Sequence, residues 1–288
     1  MRWLVLFALG AAAIVTGDRA DAFMRPGASP GGNADIVAVP GATFKLGKQA
    51  SWGGPNAGTN GDPEGVSVTV VAFAIDRTEV TARAYSVCAS AGACPRLEDG
   101  SDQSACTSGR AGYEEHPINC VTYDEAVKYC AWAGKRLPTE AEFELAERGP
   151  GARAFPWGDL PPTPKLVNAC DASCVREEAK LGSVFTSLWQ DTGGDDGWAF
   201  TAPVGTFPDG ASPYGALDLS GNVEEWVSDA WWVPVGPVSA ASPISSGEFV
   251  VRGGSWDLRT IDAFAVTRRS SAGRDMRANW LGFRCARD

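Results

Sequence analysis

The sequence predicts an α+β protein, a single compact domain with little regular secondary structure. Three observations lead there. Among 288 residues are 34 glycines and 19 prolines, about one residue in five, which is too many chain breakers for a helix bundle. Two helix starts of the form Thr-x-x-Glu stand at Thr122–Glu125 and Thr139–Glu142. Short stretches that alternate apolar and polar residues precede them. Hydrophobic residues at 44 % and charged residues at 21 % are ordinary for a globular protein and exclude a disordered chain.

Taken in order, Met1–Ala22 reads as a signal peptide. Arg2 supplies the positive end, and Ala20-Asp21-Ala22 is a small-x-small cleavage site. The apolar run Trp3–Val15 between them is shorter than a membrane span requires. The mature chain is therefore expected to be exported, periplasmic or secreted, and not membrane-spanning. Residues 23–35 form a Gly/Pro/Ser/Ala linker, and 36–288 form the domain. Ile36–Leu46 and Val66–Ile75 alternate like strands, with a Gly-rich loop between. Thr81–Ser90 has helical spacing with Thr81 as N-cap. Helices are predicted from Thr122 to about Ala133 and, after Pro138, from Thr139 to about Arg148. Loop and short strand, studded with tryptophan, are predicted after Gly149.

The net charge of −10 excludes affinity for nucleic acid or anionic membranes. A single histidine, His116, excludes His-rich zinc sites and the two-His-one-carboxylate iron site, and it reads as structural. In an oxidising compartment the eight cysteines favour disulfides over thiolate metal sites. Cys170 and Cys174, with three residues between them, read as a local bridge. Cys88, Cys94, Cys106 and Cys120 are expected to pair among themselves, with Cys88–Cys94 and Cys106–Cys120 as the arrangement.

Eight stretches then carry a resemblance. They are GATFKLG (41–47), FAIDRTEVTARAY (73–85), HPINCVTYDEAVKYCAWAGKRLPTEAEFELAERG (116–149), FPWGD (155–159), TAPVGTFPDG (201–210), YGALDLSGNVEEWVSDAWW (214–232), VVRGGSW (250–256) and LGFRC (281–285). Together, and in this order, they resemble the sulfatase-modifying-factor family, whose type enzyme is the formylglycine-generating enzyme. The resemblance implies that family's variant of the C-type-lectin fold, a cleft for extended peptide, and a disulfide from Cys130 to Cys285. It also implies two structural calcium sites. One would use Asp218, Gly221, Val223 and Glu225, with two carboxylates bracketing a glycine turn. The other would use Asn168, Ala169, Asp196 and Trp198, with Ala169 and Trp198 contributing carbonyls.

At the catalytic position the chain departs from the family. The family's oxidase holds copper with two thiolates shortly after GGS, and the resemblance places Leu258 and Ala263 there. Arg259 stands where a histidine would follow. No cysteine occurs between Val175 and Arg284, so nothing nearby offers the soft ligands copper(I) needs. Iron-dependent members of the wider family use histidines that this chain lacks. Glu224 and Glu225 are neighbours on one strand, so pleating points them to opposite faces and they make no acid–base pair.

The residues left to line a cleft are Trp231, Trp232, Ser255, Trp256 and Arg269. Trp226 and Trp256 also read as core. The expectation is an exported, calcium-stabilised, monomeric, non-catalytic module that binds a peptide or an envelope partner. The rival is an oxidoreductase of the same family that acts on protein cysteine through an unrecognised site.

Overall fold

Strand β1 (Ile36–Val39) ends at Pro40, which has no N–H to donate, and β2 (Ala42–Leu46) starts after Gly41. A Cβ on Gly41 would lie 2.7 Å from the Ala72 nitrogen, so the break depends on glycine. The second alternating stretch breaks likewise into β3 (Val66–Val70) and β4 (Phe73–Asp76). Two predicted strands thus become four. β2 and β3 form an antiparallel ribbon with Ala42 opposite Val70, while β1 pairs with β4. The computed structural model describes residues 36–47, 65–100, 105–180, 186–189, 194–231 and 247–288. The signal-peptide and linker expectations and Trp232 lie outside them. No helix among the described residues is long and apolar enough to cross a membrane.

Helices α1 (Ala82–Ser90), α2 (Tyr123–Trp132) and α3 (Glu140–Arg148) begin where their caps predict. Thr122 and Thr139 each accept the N–H of the third helical residue. Glu125 and Glu142 return the bond to the cap nitrogen. A fourth helix, α4 (Ala172–Lys180), lies in the region predicted to hold only loop and strand. Only Cys174 of it is buried, so it carries almost no apolar stripe. Its start is held by the Asp171 carboxylate, which accepts the N–H groups of Ser173 and Cys174 at 2.7 and 3.0 Å.

The larger sheet contains β5 (Glu224–Ala230), β6 (Glu248–Arg252), β7 (Arg269–Gly273) and β8 (Leu281–Gly282), in the order β7-β6-β5-β8. The C-terminal β9 (Ala286–Arg287) returns to the other side of β4, so both ends of the domain meet in one sheet. Phe143, Leu145 and Ala146 of α3 pack with Val39, Phe44, Ile75, Val227 and Val250. A second cluster gathers Trp226, Tyr129, Leu281 and Phe283 beneath α2.

Four disulfides tie these parts: Cys88–Cys94, Cys106–Cys120, Cys130–Cys285 and Cys170–Cys174. Each is the pair expected.

Candidate functional site

The GGSW segment leaves β6 through two glycines in the left-handed region, Gly253 at φ 95° and Gly254 at φ 71°. A Cβ on Gly254 would lie 2.7 Å from the Ala263 carbonyl, so this turn presses the segment onto the single-turn helix Ile261–Phe264. Leu258 and Ala263 thereby join one apolar group with Phe155, Trp189 and Phe264. The two positions are brought together, but their side chains offer no lone pair. The Cys170 N–H donates to the Leu258 carbonyl at 3.1 Å, which sets the Cys170–Cys174 bridge directly behind. Those two cysteines and Glu178 have metal-ligand spacing, but the disulfide removes both thiolates. Arg259 reaches across to Glu178 on α4.

Ser255 is buried and donates its hydroxyl to Asp257 at 2.6 Å. Trp256 is 4 % exposed; its N–H donates to the Asn222 carbonyl and its indole to the Asn279 carbonyl. Trp226 is fully buried with its indole on the Val121 carbonyl. Both rings are core, so Trp256 packs inside rather than lining an open cleft. Trp231 is half-buried beneath the Arg269 guanidinium, 4.5 Å from the ring centre. Arg269 is itself buried and forks onto Glu140 with two bonds of 2.8 Å, so its charge is directed inward.

Asn168, Ala169, Asp196 and Trp198 do converge. The Asp196 carboxylate accepts the Ala169 N–H at 3.0 Å and the Trp198 N–H at 2.9 Å. Burial pushes this carboxyl up to about 8, and the charges of Asp171 and Asp195 add to the rise. Asn168 donates its amide to the Phe200 carbonyl, while its Oδ1 is buried without a donor. An orphaned amide oxygen beside a carboxylate of raised pKa is a hard-oxygen set that lacks positive charge. These residues fit calcium on that ground.

Asp218, Gly221, Val223 and Glu225 present a different picture. Glu225 and Arg284 are fully buried, and the guanidinium takes both carboxylate oxygens at 2.7–3.0 Å. Arg284 also donates to the carbonyls of Asp76, Arg77 and Asp218. Asp218 accepts the Gly205 N–H at 2.6 Å. The open oxygen here belongs to Glu79, whose Oε1 takes the Asn222 amide at 3.0 Å while Oε2 is buried without a donor.

Burial, then the Asp218 charge, pushes the Glu79 carboxyl well up. Three carboxylates thus face one guanidinium, an excess of negative charge that a cation would relieve. Sequence reasoning missed both Glu79 and Arg284. They reach this cluster from the turn after β4 and from the C-terminus, and nothing in local spacing links them. Gly221 sits at φ 85°, and a Cβ there would also lie 2.5 Å from the Asn168 carbonyl, so the two oxygen-rich sets adjoin.

His116 stands apart from both sets. It is 3 % exposed, bonds Thr201 Oγ1 through Nδ1 at 3.0 Å and packs on Tyr113. Burial holds it down to about 4, so it is neutral and structural.

Residues 23–288 match the model of the Sulfatase-modifying factor enzyme 1-like domain. The chain is 37 % identical over 188 residues to the formylglycine-generating enzyme of Mus musculus, covering 60 % of this chain and 44 % of that one. It is 34 % identical over 217 residues to the formylglycine-generating enzyme of Mycobacterium tuberculosis, covering 68 % and 64 %. It is 33 % identical over 183 residues to a Bos taurus protein named inactive C-alpha-formylglycine-generating enzyme 2, covering 60 % and 49 %.

The chain thus spans about half the length of the curated relatives it matches. Among solved structures, PvdO from Pseudomonas aeruginosa superposes with a TM-score of 0.61 at 28 % identity, covering 88 % of this chain and 94 % of that one. With a family model matched from the linker to the last residue, the chain belongs to the sulfatase-modifying factor enzyme 1-like family and has its mixed α/β fold.

Proposed function

We propose that this protein is an exported, calcium-stabilised member of the family that binds an extended peptide or an envelope partner and performs no copper-dependent oxidation. One observation carries the reading. All eight cysteines are in disulfides, and Leu258 and Ala263 fill the positions where the resemblance calls for thiolates. Copper(I) held at an active site needs soft ligands, and an apolar pair supplies none. A relative named as inactive is compatible with a family member that keeps the fold without the chemistry.

Calcium, when bound, would supply fixed positive charge. Asn168, Asp196 and the carbonyls of Ala169 and Trp198 would hold one ion. Asp218 and Glu225, with the carbonyls of Gly221 and Val223, would hold a second beside Glu79. What the chain's own residues do is hold the loops around GGSW. Trp256 bonds both Asn222 and Asn279, and Ser255 bonds Asp257, so the segment between β6 and the Ile261–Phe264 turn is pinned.

The test is copper(I) titration of the purified protein with oxygen uptake measured against a cysteine peptide. The expected result is no tight copper(I) binding and no aldehyde formed. Turnover above a copper-free control overturns the reading and restores an oxidoreductase.

A further inference from the structure

The turn after β4, the start of α1 and the end of α2 enclose a cavity of about 430 Å³, within the range of small-molecule sites. No residue of the GGSW segment or of the Leu258–Ala263 group lines it. Backbone bonds hold its rim. The Arg83 N–H donates to the Glu114 carbonyl and the Val204 N–H to the Glu115 carbonyl, both at 2.9 Å. The start of α1 and the loop at Val204 are thereby fixed to one segment.

One wall is aromatic. Tyr129 and Trp132 lie about one turn apart on α2, with ring centres 5.7 Å apart. Tyr129 stacks on Tyr85 at 5.8 Å and meets Phe283 edge-on at 5.5 Å, so its ring is fixed by the core. Trp132 is half-buried. Val80, Val87 and Val204 add apolar surface, and Val87 is 45 % exposed.

The charges on the other walls are paired. Lys135 meets Asp76, whose second oxygen accepts the Cys285 N–H at 3.0 Å. Arg83 meets Glu115 at 2.5 Å, and both are exposed. Glu79 also borders the cavity, but its Oε1 takes the Asn222 amide and the Asp218 and Arg284 charges act on it. Hydrogen-bonding capacity remains unused. The Tyr129 hydroxyl and the other two Lys135 N–H groups have no partner among the described residues. Glu115 keeps Oε2 as an acceptor, since Arg83 takes only Oε1.

Such walls discriminate between ligand classes. A hydrocarbon would leave the donors unpaired. A carboxylate would meet the charges of Asp76 and Glu115, and an ammonium those of Lys135 and Arg83. A neutral ring with hydroxyl groups around an apolar C–H face matches both the aromatic wall and the open donors and acceptor beside it. We propose that this cavity is a sugar-binding site, in which a pyranose ring stacks on Trp132, its hydroxyl oxygens accept from Tyr129 and Lys135, and one of its hydroxyl groups donates to Glu115. The site is separate from the peptide-binding reading, and its failure leaves that reading untouched.

Isothermal titration of the full mature chain tests it. The probes are the methyl β-glycosides of D-glucose, D-galactose, D-mannose and N-acetyl-D-glucosamine. Cyclohexanecarboxylate and cyclohexylamine serve as charged rings of the same size. The expected result is saturable binding of at least one glycoside with a Kd of about 1 mM or tighter, and weaker binding of both charged rings. Trp132→Ala and Tyr129→Phe should each weaken the glycoside about tenfold or more. Glu115→Ala should weaken it in the same direction. Tyr129→Phe removes one oxygen and Glu115→Ala alters an exposed side chain, so an unchanged melting temperature in these two separates lost binding from lost folding.

Failure of all four glycosides to bind overturns the site. So does a charged ring that binds more tightly than every glycoside. Glycoside binding that Trp132→Ala, Tyr129→Phe and Glu115→Ala all leave unchanged overturns it as well, because the sugar then sits elsewhere.

Discussion

At the scale of the residue, burial decides which charges matter. His116 is neutral because burial excludes water around it, which outweighs the Thr201 hydrogen bond that favours the protonated ring. Its folded pKa of about 4 lies below the ordinary value of 6.5, so the unfolded chain binds the extra proton between those values. Stability from this group is therefore present above about pH 6.5 and lost as pH falls toward 4. Between pH 7 and pH 5 the loss should be roughly 1–2 kcal/mol. Urea unfolding of wild type and His116→Asn at both pH values measures it; an identical pH dependence in the two proteins would count against a buried neutral imidazole.

The Asn168–Asp196 set gives a second expectation at this scale. Calcium that binds only the folded state should stabilise by about 2.7 kcal/mol at a hundredfold excess over Kd. Asp196→Asn should remove much of that gain, read as the shift in melting temperature on adding a chelator. A wild-type melting temperature that ignores the chelator speaks against bound calcium.

At the scale of the element, α3 is the part whose sequence and tertiary role agree most closely. Its capping box is local, and its buried Glu140, Glu144 and Glu147 meet Arg252 and Arg269 from the sheet. Thr139→Ala removes the side-chain acceptor for the Glu142 N–H and should cost about 1 kcal/mol. Thermal denaturation checks this, and a neutral result would mean that burial of α3 overrides its cap. α1, α2 and α3 were legible because caps and apolar spacing are both local signals. α4 was not, since its one buried residue gives no periodicity and its cap, Asp171, sits inside the Cys170–Cys174 loop. The split of each N-terminal strand was also missed. Alternation reads straight through Gly41, and only the close approach of Ala72 shows why the chain turns there.

At the scale of the whole molecule, Cys130–Cys285 spans 155 positions and joins α2 to the end of the chain. A closure that long restricts the unfolded ensemble strongly, and the chain-entropy model puts the effect at roughly 4–5 kcal/mol. The double variant Cys130→Ser/Cys285→Ser should lose about 2–5 kcal/mol in denaturant unfolding. A loss no larger than that from opening the short Cys170–Cys174 loop would show that loop length is not what stabilises here.

By itself the sequence determined the single α+β domain, the helix starts and the family, because each is written in adjacent residues or in the order of motifs. The resemblance it carries also implied the grouping of Asn168, Ala169, Asp196 and Trp198, which the fold brings together through Asp196. Only the tertiary structure put Arg284 against Glu225, brought Glu79 beside Asp218 and turned Arg269 inward to Glu140. Those are encounters between β4, α3, the β5–β7 sheet and the C-terminus. Which buried charge meets which counter-charge depends on how distant segments stack around one core, and no spacing within a segment encodes it.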